Sequence, residues 1–211
     1  MTPSDAPSPN SAISPSNPDH ASAEFLGLNL DVFREVVAFA QVAEGFTYAI
    51  AEINFASDGD LLVQALQNHA VAQEVRLIEL DFTDQASLSL LSAVKEQLAA
   101  LKIAAADNPV LLVRGLATAI GVKGNYPNFL TDLNFKRDVL AAQVPYPMVL
   151  FLPDYAVDRL ARYAQDFWTW RSGHLRFRTL RQTVETAQTQ LAQPVPTQPA
   201  DSRPVKQNRI D

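Results

Sequence analysis

The chain has 211 residues, 47% of them hydrophobic, a formal net charge of -6, a pI of about 5.0 and no cysteine. That length and apolar content suit one hydrophobic core with tails. The acidic balance argues against a general nucleic-acid binder, the missing cysteines exclude disulfides and thiolate metal sites, and no apolar run approaches the roughly 20 residues of a membrane span.

Residues 1–20 hold five prolines and five serines and almost no large apolar side chains. Such a segment cannot bury enough surface to offset its ordering entropy, so residues 1–22 are expected to be a disordered tail, either inert or a docking segment. The start has neither a basic n-region nor an apolar h-region, so it is not read as a secretory signal, and a cytoplasmic protein is expected. "LNLDVFREVVAFAQVAEG" reads as a helix that Asn29 or Asp31 can cap and Gly45 can close. Residues 46–54 read as a strand, 59–72 as a helix and 74–82 as a strand. Residues 86–103 form a helix with Leu91, Val94, Leu98 and Leu101 on one face. "PVLLVRGL", 109–116, is an almost wholly apolar strand, as expected when both faces are covered. A helix over 128–143, a buried strand over 146–154, a helix through "YAVDRLARYAQDFWTWR" and a short strand over 174–178 follow. Strands alternating with helices imply a three-layer α/β sandwich with about five mainly parallel strands over residues 23–178.

After the core, Phe177, Leu180, Val184, Ala187 and Leu191 step by three and four, which predicts an amphipathic helix over 179–193. Its apolar stripe either packs on its own domain or docks a partner or a second copy. Residues 194–211 are expected to be a second disordered tail.

The strand–loop–helix corner "INFASDGD" is where an α/β protein commonly seats a phosphate. A phosphate loop needs glycines, a Lys and a Ser or Thr in the spacing G-x-x-x-x-G-K-[ST]. Here Ser57, Asp58, Gly59 and Asp60 offer one glycine, no Lys and two carboxylates. Those acids suit the positive end of the next helix, with Ser57 or Asp58 as a direct cap; the alternative is a metal held by Asp58 and Asp60. The strand that would end in magnesium-binding acids ends instead in Arg114 and Gly115. The G-x-G-x-x-G dinucleotide fingerprint is absent, "GVKGNYP" having the wrong spacing. No G-x-S-x-G elbow is present, and His20, His69 and His174 show no ligand spacing. His69, late in a helix, is expected to cap carbonyls or lie exposed. Asp154, Asp158 and Asp166 read as a solvated helix face, with Asp154 at its start and Asp158 paired to Arg162.

Trp168, Trp170 and Arg171 allow two readings, core packing or an interface anchor. The segment 171–181 carries Arg171, Arg176, Arg178 and Arg181 with His174, either as a basic strand edge or as an anion or RNA contact.

The stretches "VAEGFTYAIAEINF", "LDF", "PVLLVRGL", "YPNFLTDLNFKRD" and "VPYPMVLFLPDYAVDRLARYAQDFWTWRSGHLRF" resemble a domain of bacterial, notably cyanobacterial, proteins that usually precedes a tetratricopeptide-repeat array. That domain is similar to the AAA-type and STAND P-loop NTPases, and the resemblance covers roughly residues 30–178. It implies a P-loop NTPase-like (ASCE) sheet with a strand inserted between the first strand and the Walker-B-like one. The Walker A Lys has no counterpart in 55–60, and the Walker B acids are replaced by Arg114 and Gly115. The expectation is therefore a non-catalytic interaction or regulatory module, with no cofactor and no metal, a protein partner, no membrane contact and a possible homo-oligomer through the last helix. The candidate contacts are Trp168, Trp170, Arg171, Phe177, Leu180, Val184 and Leu191. Alternatives are an NTPase that borrows Lys123 or a neighbouring protomer's arginines, and a weak nucleic-acid binder through 171–181.

Overall fold

The computed structural model describes residues 18–73, 75–85, 88–103, 109–124 and 127–192, so most of both expected tails lies outside the described residues. Five strands, β1 (Tyr48–Glu52), β2 (Leu77–Asp81), β3 (Val110–Arg114), β4 (Met148–Leu152) and β5 (Arg171–Arg176), form one sheet in the order β2-β3-β4-β1-β5, every neighbouring pair parallel. β4 is the strand inserted between β1 and β3, so the topology is the P-loop NTPase-like one.

The chain crosses the sheet in two directions. From β1 it passes over β4 and β3 to the far edge at β2; from there it returns through β3 and β4 to β5. Right-handed crossovers in opposite directions put their helices on opposite faces. Accordingly α1 (Pro18–Leu28), α2 (Leu30–Val42) and α3 (Ala56–Gln73) cover one face, where Phe25, Val36, Leu62 and Leu66 meet Ala49, Leu112 and Phe151. The other face receives α4 (Leu90–Ala100), α5 (Leu116–Ile120), α6 (Asn128–Gln143), α7 (Asp154–Tyr163) and α8 (Gln165–Thr169), whose Val94, Leu130, Leu160 and Phe167 meet Ile50, Leu80 and Leu150. β4 is buried along its whole length, which explains its unbroken apolar sequence. After β5 the chain turns into α9 (Arg181–Ala192).

Several boundaries differ from the sequence reading. Helix α1 starts at Pro18, inside the expected tail, with Phe25 fully buried and stacked on Phe177 at 6.0 Å. Asn29 stands at the cap position of α2, but its side chain makes no cap bond. It is spent on the sheet edge: Nδ2 donates to the carbonyls of Phe25 and Arg178, and Oδ1 accepts the Arg178 N–H at 2.7 Å. The single helix expected over 155–171 is two. Ala164, at φ -132 and ψ 57, leaves the helical region and re-aims the chain, so that Phe167 stacks on Tyr48 at 4.4 Å and its carbonyl accepts the buried Tyr48 hydroxyl. β5 consequently begins at Arg171 rather than 174. Phe177 and Leu180 precede α9 instead of lying on it.

Gly115 is the residue that ends β3 and opens α5. It sits at φ +79, and an added Cβ would lie 2.1 Å from the Thr83 backbone nitrogen. Gly115→Ala is expected to lower the unfolding free energy by more than about 2 kcal/mol. Gly59→Ala should be neutral or stabilising by up to about 1 kcal/mol, because its Cβ meets nothing closer than Arg114 Nη2 at 3.6 Å. Urea denaturation of the two variants checks the contrast.

Candidate functional site

In an open α/β sheet a ligand binds beyond the carboxyl ends of the strands, where the chain reverses its direction across the sheet. Here that place is the top of β1, β4 and β3. A cavity of about 280 Å³ lies there, bordered by Asn54, Gly59, Thr83, Arg114, Thr118 and Tyr155, among others. Asn54, just past β1, accepts the Asp154 N–H at 2.9 Å and so fixes the start of α7 against the end of β1.

The phosphate-loop residues are not a loop. Helix α3 already begins at Ala56, with the Phe55 carbonyl accepting the Gly59 N–H, so neither Ser57 nor Asp58 is the residue that caps it. Ser57 is exposed at the helix start. Asp58 is buried in the first turn, and its carboxylate is turned toward the entry to α9. There it accepts the Thr183 hydroxyl at 3.0 Å, the Thr179 hydroxyl and the Leu180 N–H. Two helix starts thus share one carboxylate. Burial pushes the Asp58 carboxyl above its ordinary value, and the three hydrogen bonds only partly offset that.

Asp60 points the other way. Its Oδ1 lies 2.6 Å from Arg114 Nη2, while Arg114 Nη1 is 2.8 Å from Glu79 Oε1. The side chain of Arg114 is 17% exposed, and that of Asp60 is 65% exposed. The residue at the Walker-B-like position therefore reaches across to the phosphate-loop position and is held there. Burial alone would lower the Arg114 pKa, but the bonds and charges of Glu79 and Asp60 raise it, so the cation is fixed. Asp81 adds a third carboxylate beside this arginine. It pairs with Arg114 in the strand register and accepts the Thr83 N–H and hydroxyl at 2.9 and 2.6 Å, bonds that hold its carboxyl below the usual range. One cation thus faces three carboxylates where a nucleotide would bring its phosphates. A polyphosphate entering here would meet net negative charge and a guanidinium already satisfied on both sides.

Asp58 and Asp60 do not converge, and among the described residues no group of three or more His, Asp or Glu could hold a metal ion. Lys123 does not border the cavity; it lies in the turn after α5, which Arg159 ties to α7 through the Gly124 carbonyl at 3.0 Å.

The other candidates are dispersed. Arg171 lies over the Trp168 ring at 3.7 Å and donates to the Trp168 carbonyl, and His174 meets the same ring edge-on at 5.8 Å. Trp168 is thereby half-buried, whereas Trp170 is 41% exposed, with Phe46 on one side and Arg137 over its ring. Phe177 and Leu180 are buried in the α1–α3 face of the core, so only Val184, Ala187 and Leu191 remain on α9 for a contact, and Leu191 is 87% exposed. His69 does not stand free: its Nε2 is buried without a hydrogen-bond partner, and its ring meets Phe33 edge-on. Asp166 accepts from Arg137 and Asn134, which ties α8 to α6. The Asp58–Thr183 and Asp60–Arg114 contacts, spanning 125 and 54 residues, escaped sequence reasoning, since nothing local marks either partner.

No family model matches the chain, and no curated protein does. Among solved structures it is similar to the Aeropyrum pernix ORC2 protein in its ADP form, at 9% identity over 80% of this chain and 52% of that one, with a TM-score of 0.44. It is also similar to the same protein in ADPNP-ADP complexes, at 10% identity over 87% of this chain and 54% of that one, with a TM-score of 0.35. The chain spans about half the length of these proteins.

Removing Arg114 leaves Glu79 and Asp60 without their cation. Arg114→Ala is expected to cost about 2 kcal/mol of stability, and Asp60→Ala, at the exposed end of the pair, less than about 1 kcal/mol. Urea denaturation of both single variants and the double variant measures the coupling. For Asp58 the sign follows from its raised pKa. The part of its contribution that depends on the proton is fully present below the ordinary value of 3.8 and is lost as pH rises through the raised folded-state value, while the bond from Thr183 persists. Asp58→Asn, which keeps an acceptor oxygen, should remove that decline, whereas Asp58→Ala should destabilise at every pH. Unfolding free energies measured from pH 4 to 7 separate the two.

Proposed function

We propose that this chain is a non-catalytic interaction or regulatory module built on the P-loop NTPase-like fold. The observation that supports this reading is the Asp60–Arg114–Glu79 ion triad at the carboxyl ends of the strands. In a working site of this topology a Lys on the loop would meet phosphate, and acids at the end of the third strand would organise magnesium. Here the signs are exchanged, an acid on the loop side and a base on the strand, and the two neutralise each other. Asp58 reinforces the reading, because its carboxylate is engaged in positioning α9. The sequence likeness over residues 30–178 further suggests the domain that precedes tetratricopeptide arrays in bacterial, notably cyanobacterial, proteins, acting in the cytoplasm on a protein partner. Among the described residues no helix is long and apolar enough to cross a membrane.

Titration with a fluorescent ATP analogue, with and without magnesium, tests the reading. The expected result is no saturation up to about 1 mM, the upper end of ordinary substrate constants, and no phosphate release. Saturable, magnesium-dependent binding in the micromolar range, with turnover lost on Arg114→Ala or Lys123→Ala, would make the chain an NTPase with a non-standard site.

A further inference from the structure

β5 is an edge strand: among the described residues it pairs on one side only, with β1. The Phe177 N–H donates to the Glu52 carbonyl, so alternation along the strand turns the peptide groups of His174, Arg176 and Arg178 away from β1. At Arg178 that outward N–H and C=O are already taken by the buried Asn29 side chain, which occupies one position of an absent sixth strand. Asn29 therefore closes the far end of the edge. Ahead of it the outward groups of His174 and Arg176 have neither a strand nor a side chain paired to them among the described residues.

This edge is also the most basic part of an acidic chain. Arg171, Arg176, Arg178 and Arg181 fall within eleven residues, against a net charge of -6 for the whole. The side chains of Arg176 and Arg181 are 74% and 90% exposed, and Arg178 is exposed as well. The acids facing them are Glu52, shared by Arg176 at 3.2 Å and His174 at 2.6 Å, and Glu185, 2.8 Å from Arg181, which leaves cations in excess. The Arg181–Glu185 pair, exposed on both sides, exchanges readily for another carboxylate. A single charge suffices to blunt an edge against aggregation; an arginine series along the strand and into α9 goes beyond that need.

Building on the interaction-module reading, we propose that the outer edge of β5 receives an extended, acidic polypeptide segment of a partner protein. The segment would pair its backbone with the outward groups of His174 and Arg176 and set its carboxylates against Arg176, Arg178 and Arg181. A nucleic acid fits this surface less well. Trp168, the ring beside this edge, is already covered by Arg171 on its face and met by His174.

The test uses the full chain and a short fluorescein-labelled peptide alternating glutamate and valine. Fluorescence anisotropy should show saturable binding that weakens with added salt. Binding should fall at least about tenfold in the Arg176→Glu, Arg178→Glu, Arg181→Glu triple variant. A version of the peptide N-methylated at every residue, which offers no N–H on either edge, should bind at least about tenfold more weakly. Hydrogen exchange at the His174 and Arg176 amides should slow in the complex, a readout that stands even if the triple variant does not fold. Three results would overturn the proposal: no binding of the peptide, binding without protection of β5, or tighter binding of a single-stranded oligonucleotide of equal charge. Nucleotide binding by the same protein would instead undo the module reading beneath it, and the two failures are told apart because they are measured with different ligands.

Discussion

One guanidinium governs the top of this sheet. Arg114 ends the third strand, where the P-loop topology would place an acid, and its two terminal nitrogens are claimed by Glu79 on β2 and Asp60 on α3. A charge this deeply set is tolerated only when its donors are met, and both acids are needed to meet them. The triad therefore links three elements and shapes the charge of the crevice. With Asp81 alongside, the local charge is negative, and the fold's usual ligand would arrive with charge of the same sign.

The C-terminal segment is tied to the same corner by a second carboxylate. Asp58 binds the approach to α9 through Thr179, Leu180 and Thr183, so the first turn of α3 positions the last helix. The two acids that most clearly depart from a phosphate loop thus do different work: one holds the sheet's arginine, the other holds the chain's exit. This explains why the turn keeps its helical geometry and its single glycine without offering an open ring of backbone N–H groups. The neighbouring cavity of about 440 Å³, bordered by Ser57, Leu61, Thr183, Thr186 and Ala187 among others, follows from the same arrangement, since α9 meets α3 mainly at its first turn.

Much of the architecture was legible because buried parallel strands leave long apolar runs. "PVLLVRGL" and "YPMVLFLPD" could hardly be anything else, and the alternation with helices gave the layer order. What escaped was set by contacts remote in sequence. Nothing local breaks the run from Tyr155 to Arg171, since Ala164 is a good helix former; the break arises because Phe167 must reach Tyr48 on β1. Helix α1 was hidden by the Pro- and Ser-rich residues before it, although Pro18 stands at the first helical position, where proline is well tolerated. At the site, the oddity of each half could be seen separately, acids in the loop and Arg114 on the strand. Their union, across 54 residues, became visible only once the sheet brought β3 beside α3.

Whether the triad gives way to phosphate decides the role of this crevice. The most direct measurement is a crystal structure of the protein grown with ATP and magnesium. The expected result is Arg114 still bound to Asp60 and Glu79, with the space above β1 free of phosphate. Phosphate oxygens lodged against Ala56–Asp60, with Arg114 drawn off its two carboxylates, would contradict it.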